Sequence, residues 1–286
     1  MSVAPDIDWE TEYNNRARVP EYPEIMAGWE RDAAAYREAR SDRSELGRSY
    51  GPHPRQFLDI FHPDKGEASR PVVVFIHGGY WRSLEPRLFS HLAAGANRHG
   101  LVVAMPGYRL CPEVTVPDVI ADLQAACLQL HRRFGRPLVA CGHSAGGHLA
   151  AAMAATDWRA IAPDAPENLV RQAVAVSGLF DLAPLIKTSI NESLRLDEVT
   201  ARAASPAFWP VPAGVTVECW VGETESPEYF RQSRSLAERW AEVGARMHVE
   251  TLPGLNHFTA PAPLAEPDSD LTQALVALCN AIAGQA

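Results

Sequence analysis

Gly142-His143-Ser144-Ala145-Gly146 follows the apolar run Pro137-Leu138-Val139-Ala140-Cys141 and opens into an alanine-rich stretch that ends near Thr156. That order predicts a strand, a sharp turn and a helix, with Ser144 held at the turn in strained backbone and small neighbours on both sides to avoid collisions. Ser144 would then sit at a helix N-terminus, where unpaired amides face a developing anion. The chemistry is nucleophilic attack on a carbonyl. The plain alternative is a glycine-rich turn between a strand and a helix.

A serine hydroxyl is a poor nucleophile until a positioned base takes its proton, and that base needs an acid to hold its tautomer. Of the ten histidines, only His248 and His257 lie late enough for the chain order serine, acid, histidine. His248 falls inside a strand pattern, whereas His257 follows Pro253-Gly254-Leu255-Asn256 in a loop after a strand, so His257 is the expected base. The acid should follow the strand from Val215 to Val221, where Glu223, Glu225 and Glu228 are candidates. Asp181, after the preceding strand, is a fourth, and position alone divides them poorly. The Ala145 amide and those of Gly78 and Gly79, in the loop His77-Gly78-Gly79, are the expected oxyanion donors, because glycines let backbone amides approach a substrate closely.

These groups need a scaffold that delivers several loops to one place. Val72-Val73-Val74-Phe75-Ile76 is continuous and mostly β-branched, as in a parallel strand buried on both faces. Further strands are expected at 57–62, 101–105, 172–176, 215–221 and 247–252. Helical spacing recurs at 25–41, 85–98, 116–134, 227–243 and 271–283. Alternating strands and helices imply an α/β fold with a mostly parallel sheet covered on both faces, and ligands bind at the carboxyl ends of such strands. Residues 183 to about 213 break the rhythm and read as a cap or insertion with short helices. Residues 1–50 read as an extension packed on a catalytic domain spanning 51–286, more a clasp than a lid, with a turn at Arg48 to Pro52.

Composition narrows the class. The 286 residues carry a net charge of -9, which argues against a nucleic-acid partner. Lys65 and Lys187 are the only lysines, leaving few candidates for Schiff-base chemistry. The five cysteines are scattered, without a C-x-x-C pair, so buried free thiols are expected rather than a disulfide framework or zinc site. Residues Met1 to Glu10 are acidic and lack an apolar core, and no window matches the roughly 18 apolar residues of a membrane span, so a cytoplasmic protein without a membrane partner is expected. No metal or organic cofactor is expected, and a homodimer is the default assembly.

His77-Gly78-Gly79-Tyr80-Trp81 together with Gly142-His143-Ser144-Ala145-Gly146-Gly147-His148 resembles the α/β-hydrolase fold and, within it, the kynurenine formamidase group, whose oxyanion motif is H-G-G-x-W. The neighbouring hormone-sensitive-lipase-like esterases carry a third glycine where this chain has Tyr80. The resemblance extends through Tyr13-Asn14-Asn15-Arg16, Tyr108-Arg109-Leu110, Gly178 to Leu182, Ser205-Pro206 and Asn256-His257-Phe258. It implies that Glu225, in Glu225-Ser226-Pro227-Glu228-Tyr229-Phe230-Arg231-Gln232-Ser233, is the acid where the family usually has aspartate, with Glu223 in reserve. It also implies an aryl formamide substrate such as N-formylkynurenine. Short-chain esters or carbamates are the alternative, and a catalytically silent binding protein of the same fold is the remote one. Tyr80, Trp81, Phe258 and Trp209 are candidate walls of an aromatic pocket or, equally, core filler.

Overall fold

A computed structural model describes residues 7–65 and 70–283. Met1 to Asp6, the start of the acidic stretch Met1 to Glu10, lies outside the described residues. Among the described residues eight strands form one sheet: β1 (Ser44–Ser49), β2 (Phe57–Phe61), β3 (Val72–Ile76), β4 (Val102–Pro106), β5 (Leu138–His143), β6 (Val170–Val176), β7 (Thr216–Gly222) and β8 (Arg246–Leu252). Their spatial order is β1-β2-β4-β3-β5-β6-β7-β8. β1 pairs antiparallel with β2, and β2 antiparallel with β4. All later pairings are parallel.

β1 was not expected from the sequence. Ser-Glu-Leu-Gly-Arg-Ser has no apolar alternation, because this edge strand is largely exposed and its order comes from pairing with β2.

β3 shows why a continuous apolar run suits the middle of such a sheet. Val72, Val74 and Ile76 enter the core on one face, and Val73 and Phe75 the core on the other. Helices Val116–Phe134, Ala145–Ala155 and Pro227–Glu242 supply buried residues to the first core, and Tyr22–Ala39, Ala93–Arg98 and Asp270–Ala283 to the second. The Val116–Phe134 helix starts at a Thr115/Asp118 capping box and stops at Gly135, whose φ of 63° suits glycine. Between β6 and β7 lie four short helical turns, from Ala183–Lys187 to Pro206–Phe208.

Chain order and sheet order diverge around β3. The chain passes from β3 to β4 on one side, then returns to β5 on the other. Loops leaving β3 and β5 at their carboxyl ends therefore flank a topological switch point, where a crevice opens. Among the described residues, no helix is long and apolar enough to cross a membrane. All five cysteines are buried and unpaired.

Candidate active site

Ser144 stands between β5 and the Ala145–Ala155 helix with φ 58° and ψ -121°, an unusual conformation for a residue with a side chain. Its neighbours explain the glycines. A Cβ on Gly142 would overlap the Gly146 carbonyl, and one on Gly146 would overlap the Ile76 carbonyl of β3. Ser144 occupies the N-cap position, yet its hydroxyl makes no cap bond. Instead Oγ lies 3.0 Å from His257 Nε2.

The His257 ring is oriented from behind. Its Nδ1 lies 2.6 Å from Glu225 Oε2, and Glu225 Oε1 accepts from the Ser177 hydroxyl at 2.5 Å and the Gly222 amide at 2.7 Å. A carboxylate with these donors accepts the Nδ1 proton, leaving Nε2 to accept from Ser144. Glu225 reaches this position because the turn from Gly222, closed by its own N–H to the Gly222 carbonyl at 3.1 Å, folds the side chain back under β7. The longer glutamate arm thus spans the gap with both oxygens occupied. Glu223 is exposed and accepts from the Gly254 amide, Glu228 pairs with Arg231, and Asp181 caps the Ala183 amide. His248 lies on β8 beside Glu250, both half-exposed.

The loop after β3 is held by its carbonyls. Those of His77, Gly78 and Gly79 accept from the Tyr108 hydroxyl at 2.9 Å, His77 Nδ1 at 2.7 Å and the Ser83 hydroxyl at 3.0 Å. In a trans peptide the following N–H points opposite the carbonyl, so the amides of Gly78, Gly79 and Tyr80 are turned away from these donors. A Cβ on Gly78 would sit 3.0 Å from Ser144 Cβ, which puts the loop backbone directly against the nucleophile's position. The glycine loop and the Ala145 amide thus lie on the two segments that meet at Ser144. His77 stacks on Tyr108 at 4.2 Å, and burial pushes its pKa down to about 3, so it remains a neutral brace.

A cavity of about 240 Å³ opens above Ser144 and His257. Tyr80 and Phe258 line it, as do Tyr22, Met26 and Trp29 of the Tyr22–Ala39 helix. The Tyr22–Ala39 helix therefore supplies a wall of the site. Trp81 corrects the sequence expectation. Tyr80 and Trp81 take left-handed φ values of 50° and 53° in succession, and the indole is fully buried, edge-on to His148 at 4.9 Å. Trp209 is also absent from the cavity; its Nε1–H donates to the Ala203 carbonyl.

Sequence reasoning passed over Asn15 and Ser177. Tyr80 donates its hydroxyl proton to the Tyr13 carbonyl at 2.7 Å, so the 2.8 Å contact with Tyr229 must be donated by Tyr229. With both phenol protons spent, Asn15 Nδ2 donates to Tyr229 Oη at 2.7 Å. Tyr229 in turn packs on the His257 ring at 4.6 Å. A chain of side chains thus runs from the N-terminal segment to the base. The only signal for Asn15 was its place in Tyr13-Asn14-Asn15-Arg16; Ser177 offered only its position at the end of β6.

The BD-FAE family model matches residues 58–200, half of the sequence. The chain belongs to the BD-FAE family. That match includes the glycine loop and Ser144, while Glu225 and His257 lie beyond it. Among curated proteins the chain is similar to kynurenine formamidases of Salmo salar, at 29% identity over 79% of each sequence, and Danio rerio, at 28% over 79% of each. Among solved structures it is similar to a protein of Silicibacter sp. TM1040 named as a candidate thioesterase, at 34% identity and TM-score 0.86, covering 95% of this chain and all of that one. An esterase of Pyrobaculum calidifontis, at 21% identity and TM-score 0.64, shares the fold over 91% of this chain and 94% of its own. This BD-FAE member is a hydrolase with the α/β-hydrolase fold.

Proposed function

We propose that the protein removes the formyl group from an aryl formamide such as N-formylkynurenine, with Ser144 as nucleophile, His257 as base and Glu225 as the acid that orients it. The hydrogen-bonded series Ser144–His257–Glu225, opening onto a cavity with aromatic walls, carries this reading. The kynurenine formamidase relatives, similar over most of their length, support the substrate class. A cavity of about 240 Å³ is small for a ligand site, which suits a small acyl group on one aromatic ring.

On this reading Ser144 Oγ attacks the formyl carbon while its proton passes to His257 Nε2. The amides of Gly78, Gly79 and Ala145 hold the oxyanion. Collapse expels the aryl amine, which takes the proton from His257, and leaves a formyl ester on Ser144. Water, deprotonated by His257, releases formate. Residues 51–286 form the catalytic unit, joined at the sheet edge by β1, with residues between Glu10 and Trp29 walling the site and about 183–213 as a cap.

The decisive experiment compares kcat/KM on N-formylkynurenine and a short p-nitrophenyl ester, with Ser144→Ala as the control. Formamide turnover lost in Ser144→Ala supports the proposal. Ester turnover exceeding formamide turnover by orders of magnitude overturns the substrate and favours an ester hydrolase, the second reading, to which the Silicibacter relative's name lends support.

A further inference from the structure

Arg16 and Arg82 both line the cavity that holds Ser144, and both are exposed. Neither forms an ion pair among the described residues, although Arg18, Arg40, Arg48, Arg109, Arg133 and Arg231 each have a carboxylate within 4.0 Å. The Arg16 guanidinium lies over the Tyr22 ring, 4.8 Å from its centroid, and Tyr22 is itself a cavity wall. Arg82 makes one long contact, 3.3 Å to the Ser193 hydroxyl of the segment between β6 and β7. Glu10 is the one acid among the lining residues. Both its oxygens are already occupied, by the Ser189 amide at 2.7 Å and the Ser189 hydroxyl at 2.8 Å.

The cavity therefore combines aromatic walls with two guanidiniums that have no carboxylate within 4.0 Å among the described residues, against the single lining carboxylate of Glu10. The chain as a whole carries a net charge of -9 and repels anions at long range. Two guanidiniums against one carboxylate in the lining create a local exception, and the planar guanidinium fork matches a carboxylate.

From this we infer that Arg16 and Arg82 form a subsite for a carboxylate borne by the substrate, so that the preferred substrates are anionic aromatic compounds. The inference rests on the proposed formamidase function for the scissile bond, but the charge preference is read separately. The subsite binds substrate and touches no reacting atom, so its effect belongs in KM.

The test uses pairs differing only in charge: 4-formamidobenzoate against 4-formamidobenzamide, and 4-(4-formamidophenyl)butanoate against its primary amide. Ester pairs with the same two tails and acetate as acyl group run alongside. The enzyme should prefer the carboxylate through a lower KM in at least one pair. Arg16→Gln and Arg82→Gln should each reduce the ratio of kcat/KM within that pair by about fivefold, as for a partly exposed charge pair. Raising ionic strength should reduce it too. A ratio near one in every pair, or a ratio unaffected in the Arg16→Gln/Arg82→Gln double variant, overturns the inference. Because each ratio is taken on one enzyme preparation, partial misfolding of a variant does not alter it. If only the esters turn over, the formamidase reading fails while the charge preference is still measured on the ester pairs.

Discussion

His143 donates from Nε2 to the backbone carbonyl of His257 at 2.8 Å, so the residue before Ser144 holds the peptide of the residue that accepts from Ser144. The elbow motif leaves this position open, yet here it joins the β5 turn to the loop after β8. Burial, reinforced by the nearby His257, pushes the His143 pKa well below the usual histidine value, so it adds no competing positive charge during proton transfer.

Replacing His143 tests that brace. His143→Ala leaves the His257 carbonyl without its donor, a loss of about 1–3 kcal/mol for a buried group, and is expected to lower kcat by about tenfold with little change in KM. His143→Gln, which retains an N–H donor, should recover part of the rate. Steady-state kinetics of the two variants checks this; equal losses would argue against a positioning role.

Glu225 should be sensitive to charge as well as shape. In Glu225→Gln the amide nitrogen has to face either His257 Nδ1 or the Ser177 and Gly222 donors, so one contact becomes donor against donor. A loss of kcat on the order of 10⁴ is expected, as when a triad acid becomes an amide and the imidazole adopts the wrong tautomer. Glu225→Asp keeps the charge but retracts it by one methylene, and its kcat should fall between wild type and Glu225→Gln. Glu223→Gln is the comparison, since the exposed Glu223 carboxylate accepts from the Gly254 amide and not from His257.

Acid should destabilise the fold through three histidines outside the proposed triad. Burial lowers the pKa of His77 to about 3 and that of His148 to about 4, and burial with the nearby His257 holds that of His143 well below the ordinary range. Above about pH 6.5 these groups are neutral in both the folded and unfolded chain and stability does not depend on them. As pH falls through 6.5 the unfolded chain takes up protons that the folded chain refuses. Stability then falls, approaching about 1.4 kcal/mol per pH unit for each histidine, until the folded groups titrate. Urea unfolding between pH 7.5 and 5 measures the slope, and a flat profile would contradict the prediction.

Tyr80→Phe removes one hydroxyl and three partners: the Tyr13 carbonyl, Tyr229 and Asn15. The expected cost is about 1–3 kcal/mol, concentrated where the N-terminal segment meets the site. KM should rise, and limited proteolysis within residues 9–22 should accelerate. Unchanged cleavage there would show that apolar packing alone secures the segment.

The central strands and long helices were legible because burial on two faces demands continuous apolar strands, and burial on one face demands helical periodicity. Ser144 and His257 were legible for a different reason: a sharp turn between strand and helix requires Gly142 and Gly146, and few histidines follow the last strands. Glu225 was not separable from Glu223 by position, because two residues of turn decide which carboxylate faces inward. β1 left no signal, since its order comes from its partner strand. Trp81 could be read only as pocket wall or core filler, because nothing local announces that Tyr80 and Trp81, neither of them glycine, take left-handed φ values in succession, and the indole ends in the core. The N-terminal wall is written in contacts across more than 60 residues, such as Asn15 to Tyr80 and Tyr229, for which local periodicity carries no trace.

Tyr80 grips the main chain of residue 13 and not its side chain. A carbonyl oxygen is present whichever amino acid stands there, so this one contact reads spacing, while the buried Tyr13 ring and its hydroxyl bonds to Glu228 and Gln232 read identity. Adding or deleting one residue between Tyr13 and the Tyr22–Ala39 helix would bring a different carbonyl to the hydroxyl while Asn15 slid out of reach of Tyr229. Insertions in the N-terminal segment are therefore expected to be more damaging than point changes at its exposed positions, while Tyr13 and Asn15 stay fixed by their buried bonds.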